Sequence, residues 1–183
     1  MKHRYQRVHG FTLIELMVVM VIVAIFAAIA IPSYQQYVRR SIAAQTQQEM
    51  QKLAEQLERH RSKNFSYRGF NPRYLYPVPP SPRVDSFDPS TQKLTLPLES
   101  STPKYTLVIM DGARGNPLLT SSSSAGQSWV ITATSDDVRN FSYLLTSAGI
   151  QCKTLTPVNI ETDLGADLDD PNEIGCGEGG EDW

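Results

Sequence analysis

The chain has 183 residues, 40% of them hydrophobic, and 19 acidic residues against 17 basic ones for a formal net charge of -2. That composition excludes a disordered tail and leaves room for one small domain beyond any membrane segment. The near-balance hides an asymmetry. Arg39, Arg40, Arg59, Arg61, Lys63, Arg68, Arg73 and Arg83 fall in the first half, and Asp163, Asp167, Asp169, Asp170, Glu173, Glu178, Glu181 and Asp182 crowd the tail. Opposite poles favour head-to-tail packing of copies, or are simply solvated charge.

The first ten residues, MKHRYQRVHG, are short and basic through Lys2, Arg4 and Arg7. The positive-inside rule keeps such an end in the cytoplasm and places the rest of the chain outside. Phe11 to Ile31 then reads FTLIELMVVMVIVAIFAAIAI, about twenty apolar residues and enough to cross a hydrocarbon core of roughly 30 Å as a helix. Glu15 interrupts the run. A carboxylate near the centre of such a helix costs roughly 2.5 to 3.5 kcal/mol unless a cation meets it. No Lys, Arg or His occurs between Phe11 and Val38, so Glu15 either snorkels to the interface or takes its partner from elsewhere. The sequence AAIAIPS imitates a secretory cleavage site behind the apolar run. Cleavage in front of the run, after Gly10, would instead create an amino group on Phe11 close to Glu15, in the same chain or a neighbouring one.

Gly10-Phe11-Thr12-Leu13-Ile14-Glu15, with its basic leader and an apolar helix containing Pro32, resembles the class III signal of type IV pilins and type II secretion pseudopilins. The run Pro32-Ser33-Tyr34-Gln35-Gln36-Tyr37-Val38-Arg39-Arg40-Ser41 is similar to the PilE-type minor pilins of Gram-negative bacteria. The resemblance implies that a prepilin peptidase cuts between Gly10 and Phe11 and methylates the new amine. It implies assembly roles for Thr12, Glu15 and Pro32, with Glu15 helping subunits dock into a helical fibre. The implied partners are major and minor pilins, the inner-membrane assembly platform and, before assembly, membrane lipid. The implied location is the inner membrane, single-pass with a periplasmic C-terminal domain, then the extracellular pilus.

The membrane segment is taken as residues 11–33, but between Phe11 and Arg68 there is no glycine and the only proline is Pro32, which is expected to kink rather than end the helix. Val38, Ile42, Thr46, Met50, Leu53 and Leu57 recur at helical spacing through residues 34–62 and predict one apolar face packed on a sheet. Residues 63–103 carry Pro72, Pro77, Pro79, Pro80, Pro82, Pro89 and Pro97, which leave a connecting loop without a long helix or central strand. Alternating β-branched and aromatic runs predict strands at Tyr105 to Met110, Ser128 to Thr134 and Phe141 to Thr146, with a weaker one at Lys93 to Leu98. The expected fold is α+β: a long N-terminal helix on an antiparallel sheet of about four strands, the sheet centred on residues 104–149.

Residues 150–183 contain the only cysteines, Cys152 and Cys176. Outside the cytoplasm such a pair reads as a disulfide worth about 2–4 kcal/mol, tying the tail to the sheet edge. In the pilin family such a loop is a surface for lateral contacts, and the resemblance gives it that role here. Asp167, Asp169, Asp170 and Glu173 are close-set oxygen ligands and a calcium candidate, although EF-hand spacing is absent; a solvated acidic loop is the other reading. No cofactor is expected.

The residues bear on two further functions. Lys63, Phe65, Tyr67, Arg68, Phe70, Arg73, Tyr74, Tyr76 and Arg83 interleave cations with aromatics, the combination that neutralises phosphates and stacks bases. Aromatics in a proline-rich loop also pin that loop onto its own domain. An enzyme is not expected: without the leader His60 is the sole histidine, and neither a phosphate loop nor a nucleophile elbow is present. The sequence therefore points to a minor pilin acting in pilus assembly or initiation, hence in twitching motility, adhesion or DNA uptake. The alternatives are a secretion pseudopilin and a DNA-binding pilin.

Overall fold

The computed structural model describes residues 11–162 and 174–183. Among these residues one α-helix, α1 (Leu13–Asn64), precedes a sheet of seven strands: β1 (Phe87–Asp88), β2 (Lys93–Leu96), β3 (Tyr105–Asp111), β4 (Trp129–Ser135), β5 (Ser142–Thr146), β6 (Gln151–Thr154) and β7 (Glu181–Asp182). The strands follow one another in chain order and every neighbouring pair is antiparallel. This is the α+β architecture expected from sequence, with more strands than the four anticipated. β1 and β7 are two residues long and β6 reads QCKT, too short or too polar for alternation to mark them.

The chain divides between Arg40 and Ser41 into two units. In the first, α1 is long and apolar enough to cross a membrane, and its apolar side chains lie exposed. Pro32 sits inside the helix and donates no hydrogen bond to the turn before it.

In the second unit the predicted stripe is the buried face of α1. Thr46, Met50, Leu53 and Leu57 are buried and Ile42 is partly so. The Thr46 hydroxyl is satisfied by the Ile42 carbonyl at 2.9 Å, so a polar residue can occupy that seam. The stripe meets one face of the sheet. Tyr105, Leu107 and Ile109 alternate inward along β3, and the register sets Leu107 beside Ala133 and Ile109 beside Ile131, with Tyr143 and Leu145 next in line on β5. Each of these large side chains contributes about 1.5–3 kcal/mol by leaving water.

The opposite face has its own cover. Cys152 is bonded to Cys176 with their Cα atoms 5.9 Å apart, and the pair forms a second apolar cluster with Val130 and Leu144, flanked by Ile150, Ile160 and Ile174. The cross-link thus lies one strand in from the β7 edge, over the face that α1 does not use.

Candidate functional site

At the start of α1, Phe11 is exposed and the Glu15 N–H donates to Thr12 Oγ1 at 3.3 Å. Thr12 caps the helix, and Thr-Leu-Ile-Glu has the spacing of a capping box that sequence analysis passed over. Glu15 in the first turn also faces the positive end of the helix dipole. Gly10 lies outside the described residues. So do Asp167, Asp169, Asp170 and Glu173.

The cation and aromatic series at the other end of α1 separates into two groups. Tyr67, Phe70 and Tyr76 are buried in the main core. The Tyr67 hydroxyl donates to Glu58 Oε1 at 2.7 Å, and Trp129 Nε1 donates to the same oxygen at 3.0 Å, so one carboxylate joins helix, loop and sheet. Arg61 donates to the Tyr67 hydroxyl at 3.0 Å and lies 5.2 Å from its ring centroid. Tyr76 donates to Glu49 Oε2 at 2.7 Å, with the Lys52 ammonium 5.0 Å from its ring. Burial, then the acceptor carboxylate, raise the pKa of both phenols above the ordinary tyrosine range. Arg73 grips Asp85 with two hydrogen bonds of 2.9 and 2.7 Å and thereby lowers that carboxyl's pKa. Arg83 pairs with Glu99 at 3.0 Å. These residues pin the loop to its own domain.

The second group stays at the surface. Lys63 is exposed and makes no ion pair among the described residues. Phe65 is 92% exposed and Tyr74 63%. Arg59, His60, Lys63 and Tyr74 border an open groove of about 330 Å³ with Gln56 and Asn64, and Arg61 and Phe65 border a second of about 410 Å³ with Glu58 and Ser62. Arg59 spends part of its charge on Glu55 at 2.7 Å. His60 is held by the Arg68 carbonyl at 3.1 Å and packs edge-on against Phe70. Both grooves are open to solvent; the first is mainly polar, and the second, beside the Phe65 ring, is mainly apolar.

A turn missed in the sequence supports this surface. Asp111, fully buried at the end of β3, accepts from Ser124 Oγ and the Gly126 N–H at 2.7 Å each and from the Ala113 N–H at 3.0 Å. Burial opposes its charge, but these donors outweigh burial and hold its carboxyl below the ordinary range. The loop so folded receives the Tyr67 N–H on the Gly126 carbonyl at 2.9 Å and Arg68 on the Ser122 carbonyl at 2.6 Å. Asn116 reaches Thr162 with bonds of 2.9 and 2.8 Å. One buried carboxylate therefore organises a loop that contacts both the segment after α1 and the segment before Cys176.

A model of the prokaryotic N-terminal methylation motif matches residues 5–31. A family model described as type IV minor pilin ComP, DNA uptake sequence receptor, matches residues 32–156. The type IV major fimbrial protein FimA of Dichelobacter nodosus is 49% identical over 49 residues, 27% of this chain and 31% of that protein. Fimbrial protein EcpC of Eikenella corrodens is 69% identical over 32 residues, 18% of this chain and 21% of that protein. The chain thus matches under a third of the length of these curated relatives. No solved structure matches it. With the methylation motif at its head and the ComP model covering most of the remainder, the chain belongs to the type IV minor pilins of the ComP family.

Proposed function

We propose that this chain is a surface subunit of the type IV pilus that captures DNA for uptake. The observation that carries the reading is the exposed end of α1, where Arg59, Arg61, Lys63, Phe65 and Tyr74 leave cations and aromatic faces in open grooves. The DNA uptake sequence receptor that names the matched family supports it. Lys and Arg neutralise phosphates and release counterions, and aromatic faces stack bases.

Delivery to the surface follows the prepilin route. The leader is removed between Gly10 and Phe11 in the cytoplasm, the new amine on Phe11 offsets the Glu15 carboxylate during assembly, and α1 passes from the membrane into the fibre core. The capped first turn at Thr12 supports this by fixing where Glu15 stands relative to Phe11. Membership among minor pilins and kinship with fimbrial proteins favour a pilus over a secretion apparatus.

The test is binding of full-length protein in detergent to labelled DNA across a salt series, beside transformation and pilus counts in a deletion strain. Retardation that weakens as salt rises, with transformation lost and pili retained, is expected. Binding indifferent to salt, or transformation unaffected by the deletion, refutes the reading.

A further inference from the structure

Phe65 is the least explained residue of the exposed group. It follows the last residue of α1 in the left-handed conformation, φ 58°, with its N–H donating to the Arg61 carbonyl at 2.7 Å. That is the position where helices usually place glycine, because a side chain there is crowded by its own backbone. Core packing does not compensate: the ring is 92% exposed. A phenylalanine in a glycine's place, turned to water, borders one groove with Arg61 while Lys63 borders the other, and among the described residues its ring gains no burial.

Resting on the DNA-capture reading above, we propose that Phe65 is the base-contacting residue of this surface, its ring lying against the face of a nucleobase while the neighbouring cations hold phosphates. The fold supports that duty. The Phe65 backbone is tied to α1, and two residues on Tyr67 is buried and hydrogen-bonded to Glu58 and Gly126, so the ring stands on a fixed base and loses little freedom on contact. Glu58, the one carboxylate in the adjoining groove, is already engaged by Tyr67 and Trp129. The base face has two sources: a single strand, which offers it directly, or a duplex step that opens around an apolar wedge.

The experiment uses full-length protein in detergent with Phe65→Gly, Phe65→Trp and Lys63→Ala, each titrated with a single-stranded oligonucleotide and with duplex DNA carrying 2-aminopurine. Phe65→Gly relieves the backbone and removes no packing, so its melting temperature is expected to hold or rise while DNA affinity falls about tenfold with an unchanged salt slope. Phe65→Trp keeps affinity. Lys63→Ala lowers the salt slope by about one instead. Loss confined to the single strand assigns stacking, and loss on the duplex with less 2-aminopurine brightening assigns a wedge. Unchanged affinity of Phe65→Gly for both DNAs overturns the assignment, and if that variant then fails to enter pili the ring meets a neighbouring pilin. Failure of the wild type to bind either DNA removes the underlying reading as well.

Discussion

Replacing Asp111 by Asn tests whether one buried carboxylate organises the loop at 112–128. The side chain accepts hydrogen bonds from backbone N–H groups, those of Ala113 and Gly126 among them, and from Ser124 Oγ, and is fully buried. An amide keeps one acceptor oxygen but turns an NH2 group toward a donor. Leaving one buried donor unmet and discharging the bonds that remain costs about 3–5 kcal/mol together. The pH dependence has a definite sign. The folded-state carboxyl titrates below its ordinary value, so its contribution is complete at neutral pH, begins to fade as pH falls past about 4, and is lost on passing the folded pKa. Urea unfolding of the full chain in detergent, followed by tryptophan fluorescence, reports on the site because Trp129 lies opposite Asp111 in the ladder. The stability gap between wild type and Asp111→Asn should be widest at pH 7 and narrow toward pH 2.5. A gap below about 1 kcal/mol at pH 7, or one of equal size at both pH values, would refute the reasoning.

Other perturbations separate the remaining devices. Gly126 has φ +66°, and a Cβ there would collide with Ser66 Oγ and stand 2.7 Å from the Arg68 nitrogen, whereas Gly149, at φ +87°, meets nothing within 4 Å. Both changes to Ala incur backbone strain, but Gly126→Ala should lower the melting temperature further, and equal losses would show that the close approach is unimportant. Cys152→Ser with Cys176→Ser should cost about 2–4 kcal/mol, reproduced by reductant on the wild type in a thermal melt. Glu15→Ala should insert and be cut yet assemble poorly, and Gly10→Val should block cutting; mass spectrometry of the mature N-terminus and pilus counts check the two.

Where one strong period governed a segment, the sequence was legible. The stripe through Thr46, Met50, Leu53 and Leu57 named the buried face of α1, and the alternation in YTLVIM marked β3. The leader motif, a short string with its own chemistry, led to the family without any tertiary information. Hidden instead were features made by distant partners. β6 is a strand by its pairing with β5 and β7 rather than by any alternation of its own, and Asp111 looks like an ordinary turn residue until Ser124 and Gly126 fold back upon it.

The mixed cation and aromatic series shows why composition favours the anchor reading over the ligand surface without assigning either duty to a particular residue. A tyrosine and a phenylalanine are equally able to pin a loop or to face a base, and only burial separates the duties. Tyr67, Phe70 and Tyr76 go inward, and Tyr67 and Tyr76 spend their hydroxyls on Glu58 and Glu49, which leaves no freedom for a ligand. Phe65 and Tyr74 cannot follow them: Phe65 is turned out by the left-handed backbone, and Tyr74 lies at the rim with its hydroxyl on Gln56. The two duties are therefore coupled in the same dozen residues. Removing a buried anchor such as Tyr67 should disturb DNA capture by letting the platform move, and will do so with a loss of stability that Phe65→Gly does not share. That difference in stability distinguishes a residue that positions the surface from one that touches the ligand.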